Sequence, residues 1–184
     1  MTTPAGAAEE NVSQAFIQNA REFLREEYLP KIERCLEQLT DEQVWWRANP
    51  ESNSIGNLIL HLCGNARQWI VCGLGDETDR RERQAEFDER RIIARDELLV
   101  LLRKTIADVD KTLAGFDARR LLNHYLIQGT ESTALAAIFH VTEHFSMHTG
   151  QIILLTKMLA NLDLVFYDFS GGKPGHTWHE STKQ

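Results

Sequence analysis

Helical periodicity of the apolar residues constrains the fold of this chain more than any other feature. Apolar side chains recur at intervals of three and four over four stretches: about residues 11–39, 55–73, 94–114 and 133–160. No stretch alternates convincingly enough to predict a β-strand. Because each helix would bury one apolar face, the sequence predicts an all-α protein built as a four-helix bundle.

Proline, glycine and small polar residues mark where these helices bend, begin and end. Pro30 falls inside the first stretch and predicts a kink or a short break there. Asn53 or Ser54 is suited to begin the second helix as its N-cap, and Gly115 is suited to end the third. Residues 121–127 have a weaker pattern, so we expect an extended or irregular crossing before the fourth helix.

A long charged connection separates the second and third helices. In residues 76–91 acids and arginines are interleaved around one aromatic residue, Phe87. We interpret this stretch as a solvated connection with some helix near its end. The predicted parts of the chain are a flexible leader (residues 1–9), a helical domain (10–165) and a C-terminal tail (166–184). The tail contains His176 and His179, which we expect at the surface or in a disordered segment.

The size, charge and cysteine content exclude several classes of protein. The chain has 184 residues and a mass of 21.1 kDa, enough for one domain with a substantial core. Its net charge of -7 argues against nucleic acid binding, which requires a basic surface. Three cysteines without a CxxC spacing, no recognisable signal peptide and no apolar run of membrane-spanning length predict a cytoplasmic protein with free thiols.

Three histidines form the best candidate for a functional site. His144 and His148 are four residues apart in the fourth predicted helix, so their imidazoles project from the same face of adjacent turns. His61 lies among apolar residues of the second helix, which indicates an interior position. Three neutral imidazoles can bind one divalent metal ion and leave a coordination position for water or substrate. On the residues alone, buried histidines with a purely structural role fit equally well.

Further residues are candidates for the wall of this site. His140 lies one turn before the histidine pair, and Gln151 lies one turn after it. Gln151 can hold the free nitrogen of a histidine or lie on the helix surface, and we favour the surface position. Trp69 and His124 are expected to line the pocket or to be structural. Glu143 is expected to point away from the metal, so we assign no general base.

Two motifs resemble those of the DinB/YfiT-like superfamily. One is the run NSIGNLILHL at residues 53–62, and the other is EHFSMHTGQ at residues 143–151. The resemblance covers about residues 11–162. Where relatives often have an arginine after the last histidine, this chain has Thr149, a departure that concerns the substrate more than the metal.

The resemblance implies a fold, a metal site and a range of activities. It implies a four-helix bundle in which His61, His144 and His148 bind a divalent metal ion, most often zinc or nickel. Some members of the superfamily are transferases or isomerases that use a low-molecular-weight thiol. Because related bundles often pair through their helices, it also implies a homodimer.

The leading hypothesis is therefore a metal-dependent enzyme, either a thiol-dependent transferase or a hydrolase. The bound ion would activate a thiol or a water molecule for attack on a small-molecule substrate. The expected partners are that substrate and a cellular thiol, with neither nucleic acid nor membrane. The alternative is a non-catalytic metal-binding or stress-response helical protein, and a third hypothesis is a purely structural helical module.

Overall fold

Helices make up most of the structure, a computed structural model that describes residues 4–178, with side chains from residue 11. The helices are α1 (Pro4–Glu22), α2 (Leu29–Glu37), α3 (Asp41–Val44), α4 (Ile55–Ala66), α5 (Arg83–Asp88), α6 (Arg95–Ala114) and α7 (Ala134–Ala160), with a 3-10 turn at Ala118–Arg120. The strands are β1 (His124–Ile127), β2 (Thr130–Thr133), β3 (Tyr167–Asp168) and β4 (Gly175–His176), in two antiparallel pairs. The prediction for His179 lies outside the described residues.

The first long helical segment continues through a π-helical turn instead of breaking. This turn, Phe23–Tyr28, joins α1 to α2, and Pro30 occupies the first turn of α2. The proline has no N–H to donate to the preceding turn. The N–H of Leu29 donates to the carbonyl of Leu24, five residues back, which is the spacing of a π turn. The short break expected at Pro30 is absent, and the irregular turn ends two residues before the proline. A second π turn, Arg67–Cys72, extends α4.

Side-chain caps fix where the two helices that carry the histidines begin. Ser54, and not Asn53, is the N-cap of α4, because its hydroxyl accepts a hydrogen bond from the N–H of Asn57. The amide oxygen of Asn57 in turn accepts from the N–H of Ser54, which completes a capping box. Thr133 caps α7 by accepting from the N–H of Ala136. These caps set the register of both helices, and so the direction in which each histidine projects.

The prediction that the chain contains no strand was wrong. β1 and β2 form a hairpin in which Ile127 pairs with Thr130. The two residues between them, Gln128 and Gly129, have φ angles of 54° and 75°. Positive φ at both central positions is the geometry of a type I′ turn, which matches the twist of a hairpin. This hairpin is the crossing expected at residues 121–127, and it leads directly into α7.

The long helices pack around one apolar core. α4 contacts α6 and α7, α2 contacts the same two helices, and α1 also packs on α6 and α7. The largest fully buried side chains are Ile17, Leu24, Ile32, Leu36, Ile55, Ile59, Leu62, Ile70, Leu98, Leu102, Ile106 and Phe145. None of the described helices is both long and apolar enough to cross a membrane. The contact between α4 and α7 is the one that creates the candidate site.

Candidate metal centre

The three predicted histidines meet where α4 packs against α7. His61 projects from α4 and is 5% exposed; His148 projects from α7 and is 8% exposed, while His144 is half-buried. The Nε2 atoms of His61 and His144 are 2.9 Å apart. One nitrogen from each of the three rings lies within 4.8 Å of the other two. Residues separated by more than eighty positions in the sequence therefore converge on one point.

His148 offers a single free nitrogen to this point. Its Nδ1 lies 2.7 Å from the amide oxygen of Gln151, three residues further along α7. Because an amide oxygen only accepts, the proton of the neutral ring is on Nδ1 and the lone pair is on Nε2. That Nε2 is buried and has no hydrogen-bond partner among the described residues. Gln151 is exposed, as favoured from the sequence, and still holds the ring.

His61 has a carboxylate and a guanidinium behind it. Its Nδ1 lies 2.9 Å from Oε2 of Glu86 and 3.1 Å from Nη2 of Arg81. Arg81 also donates two hydrogen bonds to the Glu86 carboxylate, at 2.7 and 2.9 Å. Burial opposes ionisation of Glu86, but the hydrogen bonds from Arg81 and His61 outweigh it and lower the pKa of this carboxyl. A carboxylate behind a histidine is the usual support of a metal ligand.

The imidazoles on α7 are held in their neutral form. Burial, followed by the charges of neighbouring groups beginning with His148, lowers the pKa of His144 to about 3. Burial also lowers the pKa of His148, partly opposed by the hydrogen bond to Gln151. The pKa of His140 is lowered as well, mainly by burial. Neutral imidazole is the form that binds metal, so both predicted ligands on α7 are ready at neutral pH.

These residues fit a divalent metal ion. Four-coordinate zinc with bonds of about 2.0–2.1 Å requires ligand nitrogens about 3.4 Å apart. The Nε2 atoms of His61 and His144 are closer together than this, at 2.9 Å. The three ligand nitrogens all lie within 4.8 Å of one another, which is somewhat wider. The unpartnered Nε2 of buried His148 is an atom that an ion would satisfy. An all-imidazole set suits zinc and nickel alike.

The sequence also suggested His140, Trp69 and His124 for the wall of the site. His140 stacks on His144 with ring centroids 5.3 Å apart, and Trp69 lies 4.4 Å from His140. His140 also contacts the side-chain amide of Asn65 at 3.0 Å. His140 and Trp69 therefore extend the site towards the start of α7. His124 is exposed on β1.

Glu86 and Arg81 were missed because the interpretation of residues 76–91 as solvated was wrong for them. The side chains of Arg81 and Glu86 are 5% and 12% exposed and lie against α4. Their mutual hydrogen bonds make this burial of two charges possible. One signal was present in the sequence: Phe87, an apolar residue in a charged stretch. Its ring lies 4.6 Å from that of His61.

Cys35, Cys63 and His176 of the tail have partners other than the three imidazoles. Burial raises the pKa of Cys35 to about 11 and that of Cys63 to about 12. Cys63 is close to His61 in sequence, but its thiol hydrogen-bonds Thr105 on α6. In the tail, His176 pairs with Glu27 at 2.8 Å.

A family model and two solved structures relate the chain to known proteins. A model of the family described as Protein of unknown function (DUF1572) matches residues 11–170. A conserved protein from Enterococcus faecalis superposes with a TM-score of 0.59 at 16% identity, over 83% of this chain and 97% of that one. A DinB-like protein from Bacillus cereus superposes with a TM-score of 0.58 at 18% identity, over 74% and 88%. At these identities the likeness concerns the fold alone. No curated protein matches the chain.

Proposed function

This chain belongs to the DUF1572 family of the DinB/YfiT-like superfamily, and we propose that it is a metal-dependent enzyme acting on a small molecule. The observation that carries the proposal is the meeting of three imidazoles, one of them with a buried nitrogen that lacks a partner among the described residues. In this proposal His61, His144 and His148 hold zinc or nickel, and the four long helical segments serve as a four-helix bundle.

The proposed chemistry follows from a ligand set of three. A divalent ion held by three imidazoles supplies a Lewis acid with a position left for a water molecule or a thiol, whose pKa it lowers. The protein's own part is to orient the rings, through Gln151 behind His148 and Glu86 behind His61, while burial keeps the two imidazoles on α7 neutral. Three protein ligands with one open position are typical of a catalytic metal site and not of a closed structural one.

Polar groups beside the imidazoles support a polar substrate. The amide oxygen of Asn65 and the indole N–H of Trp69 are buried and have no hydrogen-bond partner among the described residues. Both side chains contact His140, which stacks on His144. One is an acceptor and the other a donor, so together they are suited to a substrate that offers both kinds of group.

Cys35 and Cys63 are not suited to supply a thiol for the reaction. Cys35 and Cys63 are buried, and the raised pKa of each thiol keeps it protonated at neutral pH. A thiol-dependent transferase is therefore proposed to use a cellular low-molecular-weight thiol, and a hydrolase to use water. We also propose a cytoplasmic location and a homodimer, in line with the sequence analysis.

The test is a turnover assay on tag-free protein loaded with Zn²⁺ or Ni²⁺. One panel combines several cellular thiols with small electrophiles and follows thiol consumption; a second offers esters and amides without thiol. We expect turnover in one panel that is lost in His144→Ala. Glu143→Ala is the matched control, because Glu143 is an exposed neighbour on the same helix. No metal-dependent turnover in either panel would reject the enzyme and leave a metal-binding protein.

A further inference from the structure

The segment that follows the second π turn is fastened across the outer face of α4. We call residues 79–89 the strap. The side-chain amide of Asn57, in the first turn of α4, donates to the carbonyls of Glu86 and Glu89 at 2.8 and 3.2 Å. Arg47 donates to the same carbonyl of Glu89 at 3.0 Å. These backbone contacts fix one end of the strap independently of the histidines.

The other end of the strap is held by buried side chains. Gln68, which is 7% exposed, accepts a hydrogen bond from Arg81 at 2.8 Å and donates one to Asp79 at 2.7 Å. Arg81 then reaches the Glu86 carboxylate through two hydrogen bonds. The strap is thus an ordered element, and its two fixed ends bring the Glu86 carboxylate to Nδ1 of His61.

The contacts at Nδ1 of His61 are compatible with two tautomers of the ring. If Nδ1 carries the proton, it donates to Glu86, and Nε2 has the lone pair that a metal requires. If Nδ1 is bare, it accepts from Nη2 of Arg81, and the proton on Nε2 blocks metal binding. Glu86 therefore favours the tautomer that binds metal, and Arg81 alone would favour the other.

Gly64 provides the space for this carboxylate. It lies on α4 three residues after His61, and a Cβ built on it would overlap the Oε1 and Cδ atoms of Glu86 and lie 2.9 Å from Nε of Arg81, which is hydrogen-bonded to that carboxylate. The Glu86 carboxylate is the flexible end of its side chain, so it would move away if the glycine were replaced. An alanine at this position is thus a way to displace Glu86 without changing either Glu86 or a histidine.

From this geometry we propose that Glu86 is a positioning residue for the metal, acting through His61, and that metal binding and closure of the strap stabilise each other. The inference rests on the proposed metal site. Removing a carboxylate behind a ligating histidine lowers metal affinity about 10–100-fold. If opening the strap withdraws the Glu86 carboxylate from His61 and weakens metal binding by that factor, then the bound ion stabilises the closed strap by the same factor, because linkage is reciprocal.

The first experiment titrates the full-length protein with Co²⁺ and follows the visible absorption of the bound ion. We expect Glu86→Ala to weaken Co²⁺ binding about 10–100-fold. Glu86→Gln keeps an acceptor for Nδ1 and is expected to recover part of that loss. Gly64→Ala is expected to weaken binding as Glu86→Ala does, with its far-UV circular dichroism unchanged. The matched control is Glu82→Ala, an exposed acid of the same strap, which should bind Co²⁺ like the wild type.

The second experiment measures closure of the strap directly. Trypsin cleaves after arginine, and Arg80 and Arg83 are exposed along the strap, with Arg90 exposed directly after it. We expect Co²⁺ to slow cleavage at these sites in the wild type, and to have a much smaller effect in Glu86→Ala at the same concentration. Mass spectrometry of the fragments assigns the cleavage sites.

The two proposals fail in different ways. A wild type that binds no Co²⁺ would overturn the proposed function together with this inference. A wild type that binds Co²⁺, with Glu86→Ala and Gly64→Ala binding equally well, would overturn the role of Glu86 alone. Equal protection from trypsin in the wild type and Glu86→Ala would overturn the link between metal and strap.

Discussion

Replacing Gly56 by alanine tests the packing that orients α4 and with it His61. A Cβ at residue 56 would lie 2.7 Å from two atoms of the Trp45 indole and 2.9 Å from a third. The indole is a rigid ring, and its N–H donates to the carbonyl of Ile93 at 2.8 Å. The ring cannot retreat from residue 56 without straining that hydrogen bond, so the extra methyl group has to be accommodated by a shift of α4.

The expected cost follows from three contributions. Overpacking in a filled core costs about 1–3 kcal/mol, and weakening the indole hydrogen bond costs up to about 1.5 kcal/mol more. Alanine in a helix recovers up to about 1 kcal/mol relative to glycine. At the middle of these ranges, Gly56→Ala lowers the free energy of unfolding by about 2 kcal/mol, which corresponds to a fall of about 4–8 °C in Tm.

The assay is urea denaturation followed by far-UV circular dichroism, with Gly150→Ala as the matched control. Gly150 is exposed in the middle of α7, and a Cβ built there meets nothing within 4 Å. The same substitution should therefore raise the free energy of unfolding there, by about 0.5–1 kcal/mol. If both variants were equally stable, or if Gly56→Ala were the more stable, the packing of Trp45 described above would be refuted.

Three further predictions concern thiols, ligand orientation and the core. Cys35 and Cys63 should resist a thiol reagent at pH 8 in the folded protein and react on unfolding, so that native labelling stops at one thiol, Cys72, whose burial is only partial; fast labelling of three thiols would contradict this. Gln151→Ala should weaken Zn²⁺ binding by up to about 10-fold in a competition titration, because the ring of His148 loses its hydrogen-bond acceptor. Unchanged affinity would count against the orientation of that ring. Phe145→Ala should cost about 3–5 kcal/mol of unfolding free energy in urea, since the ring is fully buried, and a cost below 1 kcal/mol would contradict that burial.

The sequence predicted those features of the site that depend on one helix. The spacing of His144 and His148 is a property of any α-helix, and apolar neighbours indicated that His61 faces inward. The meeting of these residues required only that two amphipathic helices pack by their apolar faces. The structure brings the three rings together in that way. A local signal, Pro30, also indicated an irregular first segment, and a π turn lies just before the proline.

Features that depend on contacts between distant residues were not predictable in the same way. Glu86 is 25 residues from His61, and nothing in a run of alternating charges indicates which acid turns inward. Gln128 is an uncommon residue for a turn that needs positive φ, so the hairpin signal was weak. In both cases tertiary packing decides the structure, and local preference does not.

Measuring the metal content and its ligands is the most direct test of the three-histidine site. Tag-free protein should bind one zinc ion per chain, and X-ray absorption should find three imidazole nitrogens at about 2.0–2.1 Å. Each of His61→Ala, His144→Ala and His148→Ala should lose that stoichiometric zinc. Retention of one zinc per chain in all three variants, or a zinc environment dominated by sulfur or carboxylate, would contradict the central claim that these three rings share one ion.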